Sequence, residues 1–453
     1  MTTLARKLRF ADYFSVGFGV MVGVGWLVVM DDWLLRGGPA GALLGFALGA
    51  ALLLPVGWVY GKLTAAIPDA GAEVAYTAKV FPSFLSFATG WVMMPVYLMV
   101  CPYEAVAIGR IAGYLFPALN TFELYSIGGY SVYLPHLALG LALTVAFTAL
   151  NYRGVHLSAG FLRWTTLAVL TLVALFSAAG LRNGSPSNFH PAFSHTPFIS
   201  VLLVLQIVPY FMTGFDAVSK CSEEASPRFE PKDFSKAVIT AIVVGFLFYA
   251  VIITAVAFAA PWQSITHERF ATAVAFERAL GSRWIVNLIM VTALISLLKI
   301  FNANLLTTTR LLFGLGRRKL IRPEIGYIHP VYQTPSVAIM CAGVVIAAGI
   351  LLGNAVLVPI SEIGSAVGPF GWMMACAAYY KLSTTAFGKS MSVIGAVVTL
   401  ALILMKVLPF IPGSFSHWEW LALVLWCALG LAIRNRRPEV AVAPSAISEA
   451  SGS

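Results

Sequence analysis

The sequence predicts an all-α polytopic membrane protein with about twelve transmembrane helices. Three observations carry this. First, of 453 residues 59% are hydrophobic and 11% charged, against roughly a quarter charged in an ordinary soluble domain. Second, apolar segments long enough for lipid, where a helix needs about 20 such residues, recur along the whole chain. They fall near 13–35, 40–60, 84–113, 132–150, 161–181, 198–219, 237–259, 284–313, 336–353, 356–380, 391–410 and 416–433. Third, the net charge of 29 − 19 = +10 is unevenly placed. With the N-terminus inside, Arg6, Lys7, Arg9, Arg153, Arg163, Lys220, Arg228, Lys232, Lys236, Arg310, Arg317, Arg318, Lys319, Arg322, Arg434, Arg436 and Arg437 are internal. Arg36, Arg182, Arg269, Arg278 and Arg283 are external, an internal excess of roughly three to one in the direction of the positive-inside rule.

Taken in order, residues 1–12 read as a cytoplasmic N-terminal tail. Asp31 and Asp32 stand where the small residues of a cleavage site would be, so the first apolar segment reads as a retained span. Residues 13–382 form the main body and 383–437 two peripheral spans. From Pro438 the chain is Ala/Ser-rich and reads as a disordered cytoplasmic tail, 438–453. Cys101, Cys221, Cys341, Cys376 and Cys427 are odd in number and widely spaced, which suggests buried thiols, not a disulfide framework or a metal cluster. No Walker motif, HExxH, CxxC pair or nucleophile–base arrangement is present, so no enzyme, cofactor, metal site or nucleic-acid partner is expected.

Two spans contain helix-breaking sequence. The first carries Gly17, Gly19, Gly23 and Gly25 within nine positions, although each glycine costs a helix about 1 kcal/mol relative to alanine. Gly19 and Gly23 also form a small-xxx-small pair, so close packing and an unwound anion-binding segment both remain open. The sixth span contains Pro209, Tyr210, Phe211, Met212, Thr213, Gly214 and Asp216, with a breaker on each side of an aromatic–polar stretch. Breaks five spans apart are what two inverted five-helix repeats, about 13–181 and 198–382, would produce.

On these residues the chain resembles the amino acid–polyamine–organocation (APC) permeases over nearly all of 10–435. Gly23-Val24-Gly25 is similar to that family's Gly-Ser-Gly break, with Val24 in place of the serine. The stretch from Pro68 to Tyr76 resembles its Pro-x-x-Gly-Gly-x-Tyr-x-Tyr loop, and Asn151, Gly154 and Ser158 its Asn-x-x-Gly-x-x-x-Ser element. Gly214 and Asp216, followed by Glu223, Glu224 and Pro227, resemble its Gly-x-Glu and Glu-Glu-x-x-x-Pro elements. Asn302, Asn304, Arg310 and the stretch from His329 to Pro335 resemble the end of its eighth span and the following loop. The lysine that many members carry on the fifth span is not evident in 165–178.

The resemblance implies a LeuT-type fold with a ten-helix core and two peripheral helices, working by alternating access. It implies that Gly23, Val24 and Gly25 offer N–H groups to a substrate carboxylate. Carbonyls around Phe211, Met212 and Thr213 would take the ammonium, with Tyr210 near a gating aromatic. Gly214, Asn302 and Asn304 would help shape the site.

A charge at a helix centre costs about 2.5–3.5 kcal/mol on insertion scales, so each intramembrane ionisable group needs a partner or a cavity. Glu104, mid-way along the third span, is a substrate-amine ligand or proton carrier, or else the partner of Lys299 or a hydrogen-bonded structural acid. Lys299 on span eight would stand in for a bound cation, or pair with Glu104, Asp216 or Glu362. Asp216 is a gating or proton-sensing group, or a cap for the broken helix. Asp31 and Asp32 are an outer vestibule or solvated helix ends. Glu362 has no assigned role, and His136 reads as a structural histidine.

The expectation is therefore a plasma-membrane secondary transporter for an amino acid or related amine, with both termini cytoplasmic and with substrate, proton and lipid bilayer as its partners. Symport and exchange are both open. A polyamine or organic-cation carrier, and a nutrient sensor without flux, are the alternatives.

Overall fold

The computed structural model describes residues 3–127, 130–268, 270–411 and 413–435. The side chains of 130 and 354–362, and hence Glu362, lie outside the described residues, as does the tail 438–453. Helix is the expected form for such a chain, because in lipid every backbone N–H and C=O must be bonded within the segment.

The first apolar segment is two helices, α1 (Phe10–Met21) and α2 (Gly25–Val28), followed by α3 (Met30–Ala66). Spans one and two are joined without a loop. The chain turns inside α3 at Gly38, where φ is 63°. A Cβ there would lie 2.8 Å from backbone atoms of Ala192 and Phe193, so both the conformation and the approach demand glycine. A short α4 (Glu73–Ala78) leads to α5 (Ser83–Met93), α6 (Pro95–Leu98) and α7 (Val100–Leu115), which together make one span, Ser83–Leu115.

An unexpected antiparallel hairpin follows, β1 (Glu123–Ile127) and β2 (Tyr130–Tyr133), with Ile127 opposite Tyr130. Its aromatic and β-branched residues suit a strand, and Tyr125 Oη ties it to the Leu351 carbonyl at 2.7 Å. Then come α8 (Leu134–Arg153), α9 (Val155–Asn183) and a broken sixth span: α10 (Pro197–Leu205), α11 (Val208–Met212) and α12 (Ala217–Lys220). The remaining helices are α13 (Lys232–Ala259), α14 (Ala271–Leu280), α15 (Arg283–Arg317), α16 (Ser336–Ile350), α17 (Gly353–Leu382), α18 (Ala386–Val407) and α19 (His417–Ile433).

The predicted all-α polytopic membrane class is what the chain adopts. Among the described residues, eight helices are long and apolar enough to span a bilayer, and a ninth is the pair Pro197–Leu205 and Val208–Lys220, bent by 49°. Ser336–Ile350 and His417–Ile433 are shorter apolar helices.

The core is centred on α15. From Phe301 to Gly316 every one of its residues is buried, the all-round burial of a helix enclosed by others. It packs against α7, α9 and α1. By contrast α19 buries only Glu419 and Gly430. All five cysteines are free thiols, with Cys101, Cys221 and Cys376 buried.

Candidate functional site

Both predicted breaks form, and they touch. α1 ends at Val22, which is extended (φ −103°, ψ 99°), and helix resumes at Gly25. In span six the chain is extended at Thr213, and Gly214 has φ 142°. A Cβ on Gly214 would stand 2.6 Å from the Met21 nitrogen and 2.7 Å from the Gly17 carbonyl. Backbone therefore meets backbone, which is the close approach that the glycines of both spans make possible.

Beside this meeting point lies a cavity of about 360 Å³, lined by Gly23, Val24, Gly25, Glu104, Tyr210, Phe211, Thr213 and Asn304 among others. A helix interruption frees backbone groups that need partners. The carbonyls find them on neighbouring spans. Ser296 Oγ donates to the Gly23 carbonyl at 2.7 Å, and Lys299 Nζ to the Val22 carbonyl at 2.7 Å. Tyr249 Oη donates to the Met21 carbonyl at 3.0 Å and lies 3.4 Å from that of Phe211, which links the two breaks. Thr213 Oγ1 donates to the Pro209 carbonyl at 2.7 Å. The N–H groups of Gly23, Val24 and Gly25 find no backbone acceptor among the described residues.

Among the described residues two acceptors in the cavity wall also have no partner, Glu104 Oε2 and Asn304 Oδ1, both buried. Glu104 Oε1 lies 3.4 Å from where a Cβ on Gly23 would stand, so the carboxyl group is beside the span-one break. Lys299 does not form an ion pair with it. Its ammonium goes to the Val22 carbonyl and over the Phe18 ring, 4.6 Å from the centroid. Phe211 is held edge-on by Trp33 and Tyr210, with centroids 4.9 and 5.2 Å away, and leaves no room beside Gly25, where a Cβ would be 2.6 Å from its Cε1.

The other residues singled out in the sequence lie elsewhere. Asn302 exchanges hydrogen bonds with Ser158, and its Oδ1 accepts from Asn151 Nδ2 at 2.8 Å, joining α8, α9 and α15 away from the cavity wall. Met212 and Gly214 are packed inside the protein and do not line the cavity. Asp32 pairs with Arg36 at 2.7 Å at the cavity's mouth. His136, its Nε2 unpartnered, borders a separate cavity of about 630 Å³ with Arg110.

Asp216 belongs to a buried cluster at the opposite end of α3 from Asp32. It makes no side-chain cap to α12. Lys220 Nζ contacts Glu73 Oε1 at 2.7 Å, Asp216 Oδ2 at 3.0 Å and Tyr97 Oη at 3.2 Å, while Tyr97 also donates to Asp216. Tyr60 donates to Glu73 at 2.7 Å. Further toward that face, Arg310 grips Glu224 with two bonds, both side chains fully buried. Arg317 and Arg318 converge on Asp69, each within 2.8 Å. Burial works to raise the Asp69 pKa, but the guanidinium of Arg318, helped by Arg317, holds it below the usual carboxylate range. Glu73, Tyr97, Lys220, Tyr249 and Ser296 were not singled out by sequence reasoning. The only signal for them is an ionisable or polar residue in or beside an apolar run.

Comparison with known proteins accords with this geometry. A family model described as amino acid permease matches residues 8–433. Among curated proteins, the cationic amino acid transporter 4 of Mus musculus is 27% identical over 80% of this chain and 58% of its own length. The glutamate/serine transporter AimA of Bacillus subtilis is 26% identical over 74% of this chain and 64% of its own. The aspartate-proton symporter of Bacillus subtilis is 24% identical over 69% of this chain and 60% of its own. The chain thus spans about three fifths of the length of these relatives. With a break-lined cavity inside a match that runs nearly end to end, the chain belongs to the amino acid permease family.

Proposed function

We propose that the protein is a secondary-active transporter that carries an amino acid across the plasma membrane by alternating access, in symport with a proton. The observation that carries this reading is one cavity in which, among the described residues, the N–H groups of residues 23–25, without a backbone acceptor, and the unpartnered Glu104 Oε2 stand side by side. Free N–H groups at a broken helix suit a substrate carboxylate. The carbonyls of Phe211 and Thr213, which line the cavity, and Asn304 Oδ1 suit its ammonium.

Proton coupling follows from the same neighbours. A substrate carboxylate at Gly23 would sit next to that of Glu104, and two such charges do not both persist in a desolvated pocket. The substrate therefore binds with a proton on Glu104, and the two leave together. Lys299 Nζ, on the Val22 carbonyl, occupies the helix end where a bound metal cation would otherwise sit. The name of the aspartate-proton symporter agrees with such coupling.

On this reading residues 13–382 are the transport core, with repeats at 13–181 and 198–382, and 383–437 the peripheral pair, about twelve spans in all. The charge excess supports a cytoplasmic location for both termini and the Lys220 face.

The test is thermal stability of the purified protein with each amino acid and its decarboxylated amine. A ligand of the folded state at 100 times its Kd stabilises by about 2.7 kcal/mol. Stabilisation by an amino acid and not by its amine supports the carboxylate site. The reverse result replaces this reading with an organic-amine carrier anchored at Glu104. Flux in proteoliposomes then separates transport from sensing, since a sensor binds without flux.

A further inference from the structure

The cavity wall is divided by chemistry. Among the described residues that line it, the charged groups other than Glu104 are Asp32, Arg36, Lys406 and Glu419, and each is already bonded to a neighbour. Asp32 pairs with Arg36 at 2.7 Å, Lys406 Nζ donates to the Gly413 carbonyl at 3.1 Å, and Glu419 accepts from Ser416 N at 2.7 Å at the start of its own helix. They gather at the mouth, since a Cβ on Gly413 would stand 3.7 Å from Arg36 Nη1. Around the helix breaks, Glu104 is the one charged group that the described lining residues bring.

The rest of that inner wall is hydrocarbon. Val96, Val100 and Glu104 follow one another at intervals of four along α6 and α7, so they form one stripe facing the cavity. Opposite them, Ile300 lies one turn from Asn304 on α15, and its Cδ1 is 2.7 Å from where a Cβ on Gly23 would stand. Val96, Val100 and Ile300 are all buried. Val96 is also wedged in place. A Cβ on Gly364 of α17 would be 3.2 Å from Val96 Cγ2 and 3.4 Å from the Tyr210 ring, and one on Gly368 would be 3.5 Å from Thr213 Oγ1 and 3.8 Å from Val96 Cγ2. Branching at Cβ holds valine and isoleucine to one preferred rotamer in a helix, so this surface keeps its shape.

We propose that the site takes neutral amino acids with apolar side chains, and that Val96 and Val100, with Ile300, form the surface that selects them. This deepens the amino acid reading above and rests on it. On that reading the span-one break holds the carboxylate, while Phe211, Thr213 and Asn304 hold the ammonium. The wall left for the side chain is the valine stripe of α6 and α7. A basic side chain there finds no counter-charge, because Glu104 is protonated when substrate is bound, and an acidic one meets no base. An unpaired charge is costly in such surroundings, whereas an apolar side chain fills them and exchanges water for hydrocarbon.

The experiment measures thermal stabilisation of the purified full chain by leucine, methionine, alanine, lysine and aspartate, each titrated to give a Kd. Leucine and methionine are expected to bind most tightly, alanine about tenfold or more weakly for want of the side-chain contact, and lysine and aspartate not at all over the same range. Val100→Ala should raise the Kd of leucine about tenfold and leave that of alanine unchanged, which also shows that the variant is folded and its break intact. Should Val100→Ala bind neither, Val100→Ile decides, since it adds a methylene to the wall and leucine must then lose affinity relative to valine. Lysine or aspartate binding as tightly as leucine overturns the inference, as does alanine equal to leucine or a leucine Kd indifferent to Val100→Ala. Binding of amines with no binding of any of the twenty amino acids overturns instead the functional reading on which the inference rests.

Discussion

The cavity side of the bundle and its opposite side are built differently. On the cavity side, charges stand at a partly open mouth, where the Asp32 and Arg36 side chains are 43% and 30% exposed. On the side assigned to the cytoplasm, Lys220, Glu73 and Asp216 are fully buried and bonded to one another, as are Arg310 and Glu224. The chain's own start seals that side further. Leu4, Ala5 and Leu8 are buried, and the N–H groups of Lys7 and Leu8 both donate to the Glu224 carbonyl at 2.9 Å. On the proposed reading, a cavity open at one end and closed at the other is one of the two states that alternating access requires. The difference teaches where the energy of closure lies. Ion pairs taken out of water are costly to break singly, because the surviving partner is left buried and unmatched. A closed end made of linked pairs therefore opens as a unit.

The strongest challenge to this contrast is to remove one member of the closed end. Lys220→Met leaves Glu73 and Asp216 buried without their counter-charge, a loss of about 3–5 kcal/mol, seen as a large fall in Tm of the purified protein. Adding Glu73→Gln restores part of it, because the two sites are coupled. Equal Tm for Lys220→Met and the wild type would remove the closed end from the account of stability.

A second challenge targets the cavity. Gly25→Ala places a methyl group 2.6 Å from Phe211 Cε1, an overpacking worth about 1–3 kcal/mol. The ring is displaced into the cavity, and the expected outcome is loss of amino-acid-induced thermal stabilisation with the protein still folded.

Glu104→Gln sharpens the comparison by function. Wild-type uptake is expected to fall as pH rises and protons become scarce, and the variant to show no such dependence between about pH 5 and 8. Retained pH dependence in the variant would move coupling away from the cavity, with the Asp216 cluster as the next place to look.

The smallest effect concerns Asp69, whose folded-state pKa is depressed. Such a group stabilises above its unfolded value, about 3.9, and that contribution disappears as pH falls through the folded value. Asp69→Asn should therefore lower Tm modestly at pH 7, and the gap to the wild type should close below about pH 4.

Much of this was legible in the chain. Glycine clustering and the Pro209 to Asp216 stretch locate both breaks, because helix-breaking residues act locally whatever surrounds them. Hydropathy places Glu104 on the third span and Lys299 on the eighth, and a family element places Asn304 there too, but span membership does not say which way a side chain faces. Asn302 and Asn304 are two residues apart on α15. One is locked to Asn151 and Ser158, while the other lines the cavity, since neighbours at that spacing point to different sides of a helix. Lys220 and Glu73 are 147 positions apart, and Lys406 and Glu419 sit on helices that sequence reading made peripheral.

The amino-acid sequence by itself determined a membrane-spanning helical chain, its breaks and its charge asymmetry, because hydropathy, glycine and proline act through local chemistry. Only the tertiary structure decided that Lys299 goes to a carbonyl and not to Glu104, that Glu104 stands beside Gly23, and that the last two helices wall the cavity. Those contacts exist through packing between distant segments, and their distances depend on every helix lying between them.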